Sequence, residues 1–453
     1  MKFKHLILLL LLAAIMAPRT ALAQKTHIAS TSSSTAMTWA EFASNVNNGT
    51  TYAGVTVYLD EDITATTMAG INDTICFQGT FEGNGNTITF NHTNNAGGSA
   101  NWYHGLFRYL NGATIQNLKV NGTITTNAAR CGGLAGHCYG DNTITNCLSD
   151  ITINSSLSSD GTYGGFVSIV RTGTTTFEGC AFTGRLLGSG TYKSGGLVGS
   201  TVTTVVFNNC IFDPTEVTIG LYNSATFSRE FYPDSSVISI NNSYYTYDFN
   251  DGTVHVGQGK QMYTITGQSP VSVAMDGAAT NHNVSHITAY SGTPGLLYDG
   301  TVIAGEGDPV SLNLDGYDIG YVADHGTLTG TANPYTLTME ASNTVISPMP
   351  CPQPTDLTVA GTTATTATLQ WTVDGNPTAW QICLNDDETN LIEADSNPFT
   401  LTGLTTSQFY TAKVRTNCGD AQSDWSNSVT FTATDKTIVG SGTAKNDFLP
   451  CDN

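Results

Sequence analysis

The stretch Gly133-Leu134-Ala135-Gly136-His137-Cys138-Tyr139-Gly140-Asp141-Asn142-Thr143-Ile144-Thr145-Asn146-Cys147 recurs along the chain, and its recurrence decides the fold. Its Gly-Leu step has counterparts at Gly105-Leu106-Phe107, Gly165-Phe166-Val167 and Gly196-Leu197-Val198, so that successive copies lie 28, 32 and 31 residues apart. Its closing segment has counterparts at Thr114-Ile115-Gln116-Asn117-Leu118, Thr176-Phe177-Glu178-Gly179-Cys180 and Val206-Phe207-Asn208-Asn209-Cys210. With Leu118, Cys147, Cys180 and Cys210 taken as one column, those intervals are 29, 33 and 30. Two motifs keeping one period define a repeat. The segments between them are short, alternating and rich in Thr, Ile and Val, with Gly, Asn and Asp at their ends, which are strand and turn signals without helical period. A unit of about 30 residues made of short strands cannot bury its own apolar side, so successive coils must stack into a solenoid.

The columns have physical readings. Leu118, Cys147, Cys180 and Cys210 are expected to face inward, where a thiol behaves as a small hydrophobe. The preceding column, Asn117, Asn146 and Asn209 with Gly179 as its exception, fits a left-handed turn whose amides bond from coil to coil. Cys131 and Cys138 flank one Gly-Gly-Leu turn and could pair. These residues resemble the GLUG-motif family of bacterial surface proteins, through Gly133-Leu134-Ala135-Gly136 and Gly196-Leu197-Val198-Gly199 with two degenerate copies. The lead-in Trp39-Ala40-Glu41-Phe42, Val57–Ile63 and Gly79–Gly85 looks like that family's first coil. The resemblance covers roughly residues 38–250 and implies a right-handed parallel β-helix in an exported protein, assigned here to residues 24–254.

Residues 351–434 read as an all-β sandwich with strands at Thr355–Val359, Ala367–Trp371, Trp380–Leu384, Phe399–Leu401, Tyr410–Thr416 and Val429–Thr432. Leu404 followed by Tyr410 has the look of a tyrosine corner. With Trp371, Trp380 and Trp425 this resembles an immunoglobulin-like fibronectin type III domain. Similar domains in exported bacterial proteins carry a cysteine pair at these places, which implies a disulfide between Cys351 and Cys418, whereas Cys383 reads as a buried thiol. Residues 255–350 read as a small β-rich module, faintly similar to internalin-type B-repeats at Tyr298-Asp299-Gly300 and Asn333–Met339, and otherwise as a spacer. Residues 435–453 resemble the opening of a further domain, truncated, or a tail.

The chain of 453 residues carries 16 basic and 36 acidic side chains, a formal net charge of −20. Such a surface repels phosphate backbones, which sets aside nucleic acid and anionic membrane as partners. Charged residues are only 11% of the chain and Gly is abundant, which points to a turn-rich extracellular protein rather than a disordered polyanion. Met1–Ala23 has a basic start, the apolar run Leu6–Ile15 and the ending Ala21-Leu22-Ala23, so a cleaved secretory signal peptide is expected. The run is about ten residues against the roughly 20 of a spanning helix, so direct membrane insertion is not expected. The expected location is therefore secreted or at the cell surface.

Chemistry is sparse. Asp150 and Asp213 share a phase but lie two coils, or about 10 Å, apart, with Thr183 between them, too far to clamp one calcium ion. Glu178, Arg171 and Arg185 fall at other phases without stacked partners. There is no HExxH, GxSxG or phosphate-cradling motif. His104 and His137 read as ordinary turn or surface imidazoles, and Asp60-Glu61-Asp62 and Asp386-Asp387-Glu388 as solvated acidic turns. No catalytic residue, metal ligand or cofactor is assigned. Trp102-Tyr103 and Tyr244-Tyr245-Thr246-Tyr247 could both stack on sugar rings; for the second group a cover over the open end of the solenoid is the favoured reading, which leaves Trp102 and Tyr103 as the candidates. The function expected is non-enzymatic: an exported adhesin or ligand-display protein whose β-helix contacts an extracellular glycan or a host or neighbour-cell protein. The alternative is a carbohydrate-active β-helix protein.

Overall fold

Short Thr- and Ile-rich segments separated by Asn and Gly turns pair in parallel, coil on coil, in the computed structural model, which describes residues 25–94, 102–157, 161–188, 190–232, 237–249, 256–317, 320–419 and 421–434. The expected signal peptide and the 435–453 tail lie outside these residues. The solenoid makes about seven turns. One face is a nine-stranded sheet that includes Thr80–Glu82, Thr114–Gln116, Asn142–Thr145, Thr174–Glu178 and Thr204–Asn208. A second holds Thr87–Asn94, Lys119–Thr126 and Leu148–Ser155, and its parallel ladder runs on to Lys260–Gln261. The third is split by the Gly-Leu step into two strand sets, one through Arg130–Gly132 and one through Ala135–Tyr139.

In-register pairing makes each column of the repeat a column of the core. Phe81, Ile115, Ile144, Phe177 and Phe207 are stacked and buried on the first face. Leu106, Leu134, Phe166 and Leu197 form the column at the bend. Each such side chain contributes about 1.5–3 kcal/mol by leaving water. The glycine before each of them is required: a Cβ on Gly133 would meet the Gly165 carbonyl at 2.3 Å, and one on Gly196 the Thr226 carbonyl at 2.2 Å. Leu118, Cys147, Cys180 and Cys210 do face inward. Cys131 and Cys138 are separate buried thiols, not a pair.

The asparagine column takes the left-handed conformation, with φ of 54°, 50° and 54° at Asn117, Asn146 and Asn209, and Asn242 extends it. The Asn146 amide donates to Asn117 Oδ1 at 2.6 Å and Asn242 to Asn209 Oδ1 at 2.7 Å. Gly179 keeps the same backbone (φ 56°) without a side chain, and the imidazole of His282 fills the space. Two neighbours of His282 bind the same column: Val284 N–H donates to Asn146 Oδ1 at 2.9 Å and Ser285 Oγ to the Gly179 carbonyl at 2.6 Å.

His282 belongs to the module that follows the solenoid, a pair of mixed and antiparallel sheets of seven and four strands. It is seated rather than a loose spacer. Ile287, Ala289, Leu296, Tyr298 and Ile303 share a core with Ala181, Ile211 and Tyr244 on the second face of the solenoid. The buried Tyr244 hydroxyl lies 2.8 Å from Asp308 Oδ2, and Lys260 pairs with Asp308 as well. Tyr244 is therefore interface and not an end cover. The N-terminal end is closed instead by the helix Trp39–Asn47, in the lead-in read from sequence as resembling a first coil. Thr38 and Glu41 form a reciprocal capping box, and Trp39 and Phe42 pack on Phe81 and Phe107.

Residues 355–432 form a three-stranded and a four-stranded antiparallel sheet around Leu369, Trp371, Trp380, Ile382 and Val414. All six expected strands are present, and Ile392–Ala394 adds a seventh. Tyr410 OH accepts from Thr405 N–H at 2.8 Å, which is the tyrosine corner. Cys351 and Cys418 are joined by a disulfide.

Candidate functional site: an aromatic and cationic crevice

The Gly-Leu step turns the chain sharply enough that the outward sides of the two strand sets on the third face approach each other. The Tyr103 ring stacks on His137 across this bend, with centroids 4.4 Å apart and planes 20° apart, and lies 5.6 Å from Tyr109. Tyr139 closes the other side of His137 at 4.5 Å. One coil on, Arg130 pairs in register with Tyr103. Its guanidinium carbon lies 5.5 Å from the Trp102 ring centre and 5.2 Å from that of Tyr103, and Nη1 donates to Tyr103 OH at 3.3 Å. Trp102 is 45% exposed beside it. The two aromatics singled out from sequence are thus brought together, with a cation between them that sequence reading had not included.

Beyond Arg130 the bend opens into a crevice of about 220 Å³ lined by Ala129, Arg130, Gly161, Thr162, Lys193, Arg229 and Phe231. Thr162 pairs with Arg130 in register, and the Lys193 amide bonds the Gly161 carbonyl, so Arg130, Thr162 and Lys193 occupy one row on three successive coils. Lys193 lies 5.8 Å from the centre of the exposed Tyr222 ring, and Arg229 lies 5.7 Å from that of Phe231. The signal for this row was in the sequence: Arg130, Thr162 and Lys193 each stand three residues before a motif glycine.

His137 and His104 are not the turn or surface imidazoles expected, because the bend closes around both: they are 2% and 1% exposed. Burial first, then the charges of Arg171 and Arg130, push the His137 pKa down to about 3. Burial, His92 and Arg108 bring His104 down to about 4. Both are neutral at physiological pH. His104 Nδ1 lies 2.7 Å from Thr126 Oγ1, while neither ring nitrogen of His137 meets a hydrogen-bonding partner among the described residues.

The remaining candidates are held by structural bonds. Asp150 accepts from Thr183 at 3.3 Å, and Asp213 from Thr246 at 2.7 Å and Tyr298 at 3.2 Å. Glu178 faces His282 Nε2 at 3.3 Å. Arg185 does have a stacked partner, contrary to the phase argument, because Glu216 pairs with it in register on the next coil. Asp60 pairs with His27, Glu61 accepts from Ser30 N–H and Asp62 from Thr87 N–H, so this run ties strand ends together. Among the described residues no three His, Cys, Asp or Glu side chains converge as a metal site, and no helix is long and apolar enough to cross a membrane. Two other depressions lie beside Trp39, about 480 Å³, and beside Cys418, about 540 Å³; among the described residues the first is lined by one carboxylate, Asp62, and the second by no charged group.

Residues 352–432 match the fibronectin type III domain family. No curated protein matches the chain. Among solved structures, one titled "Myokine structure" is 22% identical over 18% of this chain and 96% of its own, with a TM-score of 0.16. The fibronectin type-III domain of human fibronectin type III domain containing protein 3 is 19% identical over 20% of this chain and 93% of its own, with a TM-score of 0.17. The chicken CNTN1 FN1-FN3 domains are 10% identical over 38% of this chain and 63% of theirs, with a TM-score of 0.19. The fold and the family match together define an all-β modular protein, a parallel β-solenoid with a C-terminal fibronectin type III domain.

Proposed function

We propose that the chain is an exported, non-enzymatic surface protein of the adhesin or ligand-display type, which holds an extracellular glycan in the crevice of its solenoid. The observation that carries this reading is the exposed Trp102 beside Arg130, whose guanidinium lies against the rings of both Trp102 and Tyr103. A sugar ring presents an apolar C–H face to an aromatic and hydroxyls to its edge, and this wall offers both. The resemblance to GLUG-motif surface proteins and the expected signal peptide support export, and the fibronectin type III domain is compatible with an adhesion-type molecule. Residues 24–453 should be retained on part of a panel of immobilised polysaccharides and mucins without releasing sugar, and Trp102→Ala should abolish most of that retention. Released sugar would move the protein to the carbohydrate-active alternative, and retention unaltered by Trp102→Ala would remove the crevice from the account.

A further inference from the structure

We infer that the solenoid binds an internal stretch of an extended 1,4-β-linked polysaccharide, laid along its axis with one sugar to each coil and an aromatic platform at both ends of a five-sugar site. This deepens the glycan reading and rests on it. The observation that carries it is a second exposed ring on the row that starts at Tyr103. Tyr103 lies on the edge strand of its set, and the row runs from it through Arg130 and Thr162 to Lys193. Thr191 and Tyr192 pair in register with Gly220 and Leu221, which brings Tyr222 beside Lys193 on the following coil, and Lys193 Nζ lies 5.8 Å from the centre of the Tyr222 ring. Tyr222 is 58% exposed, and Trp102, next to Tyr103, is 45% exposed. The two open rings therefore stand at opposite ends of one row, four coil steps or about 19 Å apart.

That geometry selects a polymer and its linkage. Parallel strands in register keep the row straight. Their spacing of about 4.8 Å is close to the rise per sugar of an extended 1,4-β-linked chain, so sugars and coils stay in step over the length of the site. Successive sugars in a flat chain of this kind are turned by half a revolution. The first and fifth sugars are four half-turns apart and present the same side to the protein, which matches an aromatic ring at each end. A 1,4-α-linked chain coils away from a straight row and loses one of the platforms. An aromatic ring takes the apolar C–H face that every sugar carries rather than a chain end, so the site suits an internal stretch. Arg130, Thr162 and Lys193 come between the platforms, where the hydroxyl edges of the second to fourth sugars meet polar side chains.

The test uses residues 24–453 with cello-, chito- and manno-oligosaccharides of two to six sugars, malto-oligosaccharides of the same lengths, and dextran. In at least one of the 1,4-β-linked series affinity should rise up to five sugars and then level off, with the pentamer at least tenfold tighter than the trimer. Maltopentaose and dextran should bind at least tenfold more weakly than that pentamer. Tyr222→Ala should weaken the pentamer about tenfold, the worth of one stacked ring, and leave the trimer, held at the Trp102 end, unchanged. Tyr222→Phe should restore the pentamer. Because Tyr222 is exposed, its removal should leave the thermal transition in place, so that weaker binding reports the ring and not the fold. A pentamer no tighter than the trimer, pentamer binding unaltered by Tyr222→Ala, or retention only of glycans outside the 1,4-β-linked class would overturn the inference and leave the glycan reading standing. Retention of no polysaccharide would overturn both.

Discussion

At Gly179 a Cβ would lie 2.1 Å from the His282 ring, although the residues at the same place in other coils are asparagines. The backbone there has φ 56°, which asparagine tolerates, so the clash with His282 is what excludes a side chain. Gly179→Asn should complete the amide column, expel His282 and raise amide hydrogen exchange in Ala279–His282 and Ile287–Tyr290. Exchange unchanged there would show that His282 does not seat the module. The sequence displayed the exception at 179 but not its cause, since the partner comes from a separate module and no period links them. His137 and His104 give a second residue-scale prediction. Their folded pKa values, about 3 and about 4, lie below the 6.5 of an unperturbed histidine, so the unfolded chain takes up these protons first as pH falls. Their contribution is full above pH 6.5 and is lost towards pH 4 and 3, at up to about 1.4 kcal/mol per pH unit for each group. The charges facing them, Arg108, Arg130 and Arg171, oppose protonation in the same direction. Urea midpoints between pH 7.5 and 4.5 should fall, and less steeply in His137→Phe, which keeps the stack on Tyr103.

Elements were legible where a repeat or an alternation states them. The Gly-Leu and Asn-Cys columns occur several times each, and every copy confirms the phase of the others. The helix Trp39–Asn47 occurs once, is nine residues long, and its signal is the Thr38/Glu41 capping box rather than a long periodic run. Ile392–Ala394 is three residues long and pairs only at a sheet edge, too short to show an alternation. The crevice was half legible: Trp102 and Tyr103 stand out by type, but which cations meet them depends on how sharply the third face bends. The sandwich supports a prediction at this scale. Its disulfide closes a loop of 67 residues, for which chain entropy alone gives about 4 kcal/mol. The isolated domain, residues 351–434, has its own core, and Cys351→Ser with Cys418→Ser should lower its denaturation free energy by about that amount. A loss below about 1 kcal/mol would mean that the unfolded domain is already compact.

For the whole molecule the division of cores matters more than the division of sequence. The core of the fibronectin type III domain draws only on residues 357–433, whereas the module before it shares a cluster with the solenoid. Residues 25–350 are therefore expected to unfold as one cooperative unit and the C-terminal domain as another, giving two calorimetric transitions. The boundary near 254 was drawn from the loss of repeat signal, yet the parallel ladder continues to Lys260–Gln261 and the shared core to Ile303. The sequence could not show this, because the solenoid's outward residues at 181, 211 and 244 look like ordinary strand positions until something covers them. Cutting the chain after Pro350 should leave the larger transition and the crevice intact. Cutting it after Met262 should expose Ala181, Ile211 and Tyr244 together, lower that transition and cause apolar-dye binding or aggregation. If the solenoid cut at 262 melts where the longer fragment does, the module adds no stability and its seat on the asparagine column serves only to orient it.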